Sequence, residues 1–189
     1  QMGLLYGQLG NTDKMINTFL DEAFTHPEST ILIQNQFSRF MNDEGDAGFS
    51  ANLRKALITR TQQNQDVYWN QFLSWFYTQQ KEFGKAFVQE KAIYKRNPES
   101  LNAIINLAQL AIDEKDDTTA PTILEFVLEN TTEIELLVQA NTYLMQVKID
   151  TTSEKDWASL EPELSALVTK YGISPFTLSL QLMQAHFLT

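Results

Sequence analysis

Residues 73–98 read LSWFYTQQKEFGKAFVQEKAIYKRNP, two amphipathic helical stretches meeting at Lys81-Glu82. Leu73, Ser74, Tyr77, Ala86 and Pro98 punctuate them at fixed offsets, and the same pattern returns roughly every 34 to 37 residues along the chain. In a 34-residue frame, residues 101–134 place Leu107, Ala108, Ala111, Ala120, Leu124 and Val127 in register. Residues 30–63 do so with Phe40, Leu53, Ala56 and Leu57, and a first copy does so with Gly3, Tyr6, Met15, Phe19 and Pro27. Beyond residue 134, LLVQANTYLMQV and LEPELSALVTKYG read as one more pair of amphipathic helices. A single copy would carry little weight, because Leu, Ala and Tyr occur at helical spacing in any packed helix. Four copies in nearly constant register decide the fold class.

The spacing of Leu73, Ser74, Tyr77, Ala86 and Pro98 resembles that of the tetratricopeptide (TPR) repeat. The resemblance has recognisable positions over about 134 residues and only helical periodicity after that. It departs from the pattern at Met15 and Phe49, where Ala is usual, and residues 30–63 lack the closing Pro. It implies an all-α fold, a right-handed α-solenoid of about five helical hairpins with an extra C-terminal helix. Small residues let the two helices of a hairpin approach closely, and large apolar residues fill the space to the next hairpin.

The expected organisation is one elongated array over residues 1–189. Its repeats are 1–29 (partial), 30–63, 67–100, 101–134, 135–172 (degenerate) and 173–189 (partial). Helices are expected at 1–9, 12–26, 29–42, 47–61, 65–80, 83–96, 99–114, 118–130, 133–148, 154–171 and 175–189. Thr118 or Thr119 is placed to cap the helix carrying Pro121. Ser153 with Asp156 resembles a capping box, and Ser174-Pro175 reads as a cap followed by Pro at the first helical position. Pro162 is expected to kink or delay its helix, after the irregular stretch KIDTTSEKD. The first copy begins at its sixth frame position, and neither end is polar as capping repeats are. The expectation is a piece of a longer protein.

Apolar residues make up 43% of the chain and charged residues 20%, enough to bury a continuous core. No apolar run approaches the ~18 residues of a membrane span. The absence of Cys excludes disulfides and thiolate chemistry. The net charge of −10 is uneven: residues 99–170 hold four Lys/Arg against fourteen Asp/Glu, whereas residues 39–96 hold nine against six. An acidic chain without a dense basic stripe argues against nucleic acid. The acidic half suits steering of a basic partner, or forms a solvated helix face.

No catalytic or metal constellation is visible, so neither enzyme activity nor a cofactor is expected. His26 and His186 lie far apart, without carboxylate or His partners at helical spacing. HExxH, P-loop, GxGxxG and GxSxG motifs are absent. The clusters NDEGD (42–46) and DEKDD (113–117) do not match a calcium loop and fall at turns within hairpins.

The TPR resemblance implies a partner-binding inner face, lined by positions 2, 5, 9 and 12 of each first helix. Here these are Ile31, Gln34, Ser38 and Met41, then Tyr68, Gln71, Trp75 and Thr78. Asn102, Ile105, Gln109 and Ile112 follow, and the degenerate copy offers Leu136, Gln139, Tyr143 and Gln146. None is charged, which departs from TPR proteins that clamp a chaperone's C-terminal carboxylates. Amides can pair with a peptide backbone, and Trp or Tyr can anchor a side chain. Trp69 and Phe72 are expected to pack between hairpins, whereas Trp75 and Tyr68 suit either the groove or the packing.

The expected function is a non-enzymatic protein–protein interaction scaffold that binds an extended peptide or partner protein. One alternative is a structural spacer or self-association module, using open helix faces such as LSLQLM at 178–183. Another is an accessory region of an enzyme whose catalytic domain lies elsewhere. The Gln/Asn-rich, diverged repeats are similar to long bacterial TPR proteins that are often exported to the periplasm or outer membrane.

Overall fold

The computed structural model describes residues 11–42 and 48–187. Every regular element among them is helical. The chain divides into two compact units, residues 1–82 and 83–189. The division falls inside the turn of the repeat with the best signature, between Glu82 and Phe83.

The first unit holds α1 (Thr12–Thr25), α2 (Thr30–Met41), α3 (Phe49–Gln63) and α4 (Val67–Gln79). Asn11 caps α1, its side-chain oxygen accepting from the Lys14 amide at 3.2 Å, and Asp66 caps α4 through the Tyr68 amide at 2.9 Å. Apolar residues at helical spacing turn one face of each helix inward: Ile16, Leu20 and Ala23; Ile33 and Phe37; Phe49, Leu53 and Leu57; Trp69, Phe72 and Phe76. Each helix packs on the next, and α1 also packs on α3. Phe37 of α2 meets Phe72 of α4 with centroids 6.1 Å apart. Contact between consecutive helices and between helices two places apart is the layering of an α-solenoid.

Phe37 and Phe49 occupy two positions where the next copies carry Ser74 or Ala108 and Ala86 or Ala120. The two rings meet at 5.6 Å. Bulk at these positions holds the backbones of α2 and α3 apart, and they approach less closely than α6 and α7 below.

The second unit holds α5 (Phe83–Arg96), α6 (Asn102–Asp113), α7 (Thr119–Asn130), α8 (Ile134–Thr151), α9 (Glu161–Tyr171) and α10 (Leu178–Phe187). Consecutive helices pack together, as do α5 with α7 and α6 with α8. Ala86, Ala108, Ala111, Ala120 and Ala140 are fully buried, and Ile104, Ile123, Leu124 and Val127 fill the space around them. A second core gathers Val138, Met145, Leu164 and Leu180.

The turn after α4 and the turn after α6 share one geometry 34 residues apart. Lys81 and Lys115 both adopt left-handed backbone, φ 56° and 63°. The Lys81 amide donates to the Thr78 carbonyl and the Glu82 amide to that of Tyr77. The Lys115 amide donates to Ile112 and the Asp116 amide to Ala111 in the same pattern. These are Schellman caps, and their recurrence makes the sequence repeat a repeat of backbone.

Three sequence expectations meet a different outcome. Thr118 stands at the N-cap position of α7, as expected, but its side chain makes no cap bond; Asp116 supplies it, its Oδ1 accepting from the Thr119 amide at 3.0 Å and the Thr118 hydroxyl at 2.9 Å. The helix expected over 154–171 splits into a 3-10 segment, Glu154–Ser159, and α9. Pro162 sits in the first turn of α9, where its missing N–H costs nothing. Part of KIDTTSEKD extends α8 to Thr151, whose hydroxyl donates to the Val147 carbonyl at 2.7 Å. Trp157 Nε1 then donates to the Ile149 and Thr152 carbonyls at 3.3 and 3.0 Å, covering that helix end. The Ser174 cap stands as expected, in a capping box with Thr177. The expected helix at 1–9 and most of NDEGD lie outside the described residues.

Candidate functional site

In the first unit the named face of α2 and α4 is amphipathic and half-exposed. Ile31 is 72% exposed, Gln71 is exposed, and Gln34, Ser38, Met41, Tyr68, Trp75 and Thr78 are half-buried. Ser38 donates to Gln79 at 3.5 Å, the Met41 sulfur accepts from Gln80, and Thr78 bonds back to the Ser74 carbonyl. Tyr68 is held on several sides. Its hydroxyl meets that of Thr30 at 2.8 Å, and its ring packs on Phe24, Trp69 and Phe72. Burial pushes its phenol above the ordinary value, against the opposing effect of the Thr30 hydrogen bond. Trp75 touches Phe72 edge-on at 5.4 Å and remains partly open to solvent. Trp69 and Phe72 are both 1% exposed and belong to the core, as expected.

In the second unit Asn102 is exposed, and Gln109, Gln139, Tyr143 and Gln146 are half-buried. Gln109 and Gln146 donate to Asp113 and Asp150, each at 2.8 Å, so carboxylates stand directly beside the uncharged positions. Ile105, Ile112 and Leu136 do not line an accessible face; they are 2, 6 and 8% exposed. The reason is local. Six of the twelve residues of α6 are buried, so its apolar stripe is wide enough to take Ile105 and Ile112 inward.

Two cavities supply residues that the frame positions do not indicate. One, of about 620 Å³, opens beside α1 and α3 and includes Asn17, Asn52, Lys55, Arg60 and Trp69 in its lining. Arg60 is engaged internally. It donates to Asp21 at 2.5 Å and Asn17 at 3.2 Å, and it lies 5.2 Å from the Trp69 ring, on which Phe24 stacks at 5.1 Å. The other, of about 280 Å³, is walled by Glu135, Gln139, Thr142 and Tyr143 of α8, with Phe176 and Ser179 opposite. Phe176 lies in the short 3-10 helix Pro175–Thr177 that follows the Ser174 cap, and that cap is the only sequence signal near it.

The acidic turn DEKDD has a structural role. Asp113 accepts from Gln109, Lys115 pairs with Asp150 at 3.3 Å, and Asp116 caps α7. Among the described residues no group of three or more His, Asp or Glu is placed to hold a metal ion. Partial burial pushes the Asp116 carboxyl up, but the Thr118 and Thr119 hydrogen bonds outweigh it and hold the pKa below the usual carboxylate range. Asp116→Ala is expected to cost about 1 kcal/mol at neutral pH. A carboxyl held below its unfolded-state pKa favours folding above about pH 4 and loses that contribution as the pH falls through the lower folded value. Urea midpoints of wild type and variant should therefore differ at pH 7 and converge in acid.

No family model, curated protein or solved structure matches the chain. What the fold itself defines is a helical-repeat protein, built from consecutive helices that pack in chain order within each unit. Among the described residues no helix is long and apolar enough to cross a membrane.

Proposed function

We propose that the chain is a non-enzymatic, TPR-like scaffold that holds an extended peptide or partner protein on the first-helix faces of its repeats. The observation that supports this reading is the half-buried set of amides and rings on α2, α4 and α8. Gln34, Trp75, Gln139 and Tyr143 keep solvent-facing surface while the helices beneath them are fully packed. Half-buried rings offer large apolar area on a fixed base, as binding anchors do.

The test is a pull-down from the native host with the wild type beside the Trp75→Ala/Tyr143→Ala double variant. A partner retained by the wild type and lost by the variant, at unchanged helicity, is the expected result. An unchanged partner set, or a large loss of folding, removes the reading. A second reading, self-association, is favoured by exposed apolar residues at 173–182: Ile173, Phe176, Leu178 and Leu182 are 89, 52, 56 and 63% exposed. Recovery of the protein alone, indifferent to the two substitutions, would select it.

A further inference from the structure

We propose that the cavity between α8 and the Pro175–Thr177 turn receives a basic side chain, an arginine or lysine, of an extended partner peptide. The inference rests on the scaffold reading above and names what one of its faces selects. At about 280 Å³ the cavity is just below the ~300–1,000 Å³ of small-molecule sites, a size suited to one long side chain.

Its formal charge is one-sided. Gln139 commits an amide proton to the Tyr143 hydroxyl at 3.1 Å, leaving its Oε1 as acceptor. Thr142 commits its hydroxyl proton to the Val138 carbonyl at 2.8 Å, leaving its lone pairs. Glu135 accepts only, and no Lys or Arg lines the cavity. The second Gln139 amide proton and the Tyr143 and Ser179 hydroxyls can still donate, but the one charged group on the wall is the Glu135 carboxylate. Guanidinium and ammonium groups carry donors and no acceptor, so they complement this wall, whereas an anion would meet Glu135.

Tyr143 and Phe176 add two ring surfaces, which attract a cation and cover the aliphatic stem behind it. Two cations of the same unit are engaged elsewhere: Lys148 bonds to Glu163 and Lys115 to Asp150. Glu135, in the first turn of α8, forms no ion pair among the described residues. The excess of ten negative charges over residues 99–170 extends the same preference to longer range.

The probe is a set of four eleven-residue peptides with one Ala/Ser background and a central Arg, Lys, citrulline or norleucine. Each is titrated into the intact, isotope-labelled chain and followed by the amide signals of residues 133–143 and 174–180. The Arg and Lys peptides should shift these signals saturably and bind about three- to tenfold more tightly than the citrulline and norleucine peptides. Glu135→Gln should remove that difference, and added salt should shrink it. Equal binding of the Arg and citrulline peptides, unaffected by Glu135→Gln, overturns the basic-side-chain receptor but leaves a peptide-binding face. No shift at α8 with any peptide also overturns it, and the Trp75/Tyr143 pull-down then decides the scaffold reading separately.

Discussion

Phe37→Ala should destabilise the first unit by about 3–5 kcal/mol, the range for deleting a fully buried aromatic ring. Phe37 is 0% exposed and touches rings from three other helices: Phe19 at 5.9 Å, Phe49 at 5.6 Å and Phe72 at 6.1 Å. Removing it leaves three rings facing a void that helix backbones already held apart cannot close. The cost should fall at the upper end of the range for that reason. Two of the three tryptophans, Trp69 and Trp75, lie in this unit, so urea unfolding followed by tryptophan fluorescence reads it directly. Ile31→Ala is the control. At 72% exposure its loss should stay within about 0.5 kcal/mol. Equal effects from the two substitutions would mean that Phe37 is not the keystone of this core.

Ala120→Leu should have the next largest effect, about 2–3 kcal/mol by overpacking. Here the physics runs the other way: the position has no spare room. Ala108, Ala111 and Ala120 are all 0% exposed on α6 and α7, two helices packed against each other. Three added carbons must push those helices apart or force strained rotamers. Thermal unfolding followed by far-UV circular dichroism would show the loss, and Ala120→Ser, which adds one small atom, should lose much less. A stable Ala120→Leu protein would show that the small residue at this frame position reflects something other than close packing.

Much of the fold is legible in the sequence. Helix positions are legible because period and stop signals coincide: the pattern delimits Phe83–Arg96 to the residue, and most other ends to within two or three. The core is legible wherever a copy follows the pattern, as with Ala86, Ala111 and Leu124. Less is legible where the outcome depends on how a neighbour is turned. Frame position puts Ile105, Ile112 and Leu136 on the partner-binding inner face, yet all three are buried, Ile105 and Ile112 because the apolar stripe of α6 is wider than that frame assumes. For the α7 cap, the nearest hydroxyls are the obvious candidates. The preceding Schellman turn leaves Asp116 with its carboxylate over the Thr119 amide instead. Glu135 escapes the frame because it lies one residue before the first groove position of its copy, and Phe176 because its partner on α8 is more than thirty residues away.

The twin left-handed lysines have an evolutionary corollary. A chain joined from Lys81 directly to Asp116 would keep the bond pattern of one such turn while losing a whole 34-residue module. Duplication across the same joint would add one. Unequal recombination at these two places alters the length of the protein without inventing a new loop. The array can thus lengthen or shorten in whole modules, and each splice lands on a turn that already folds.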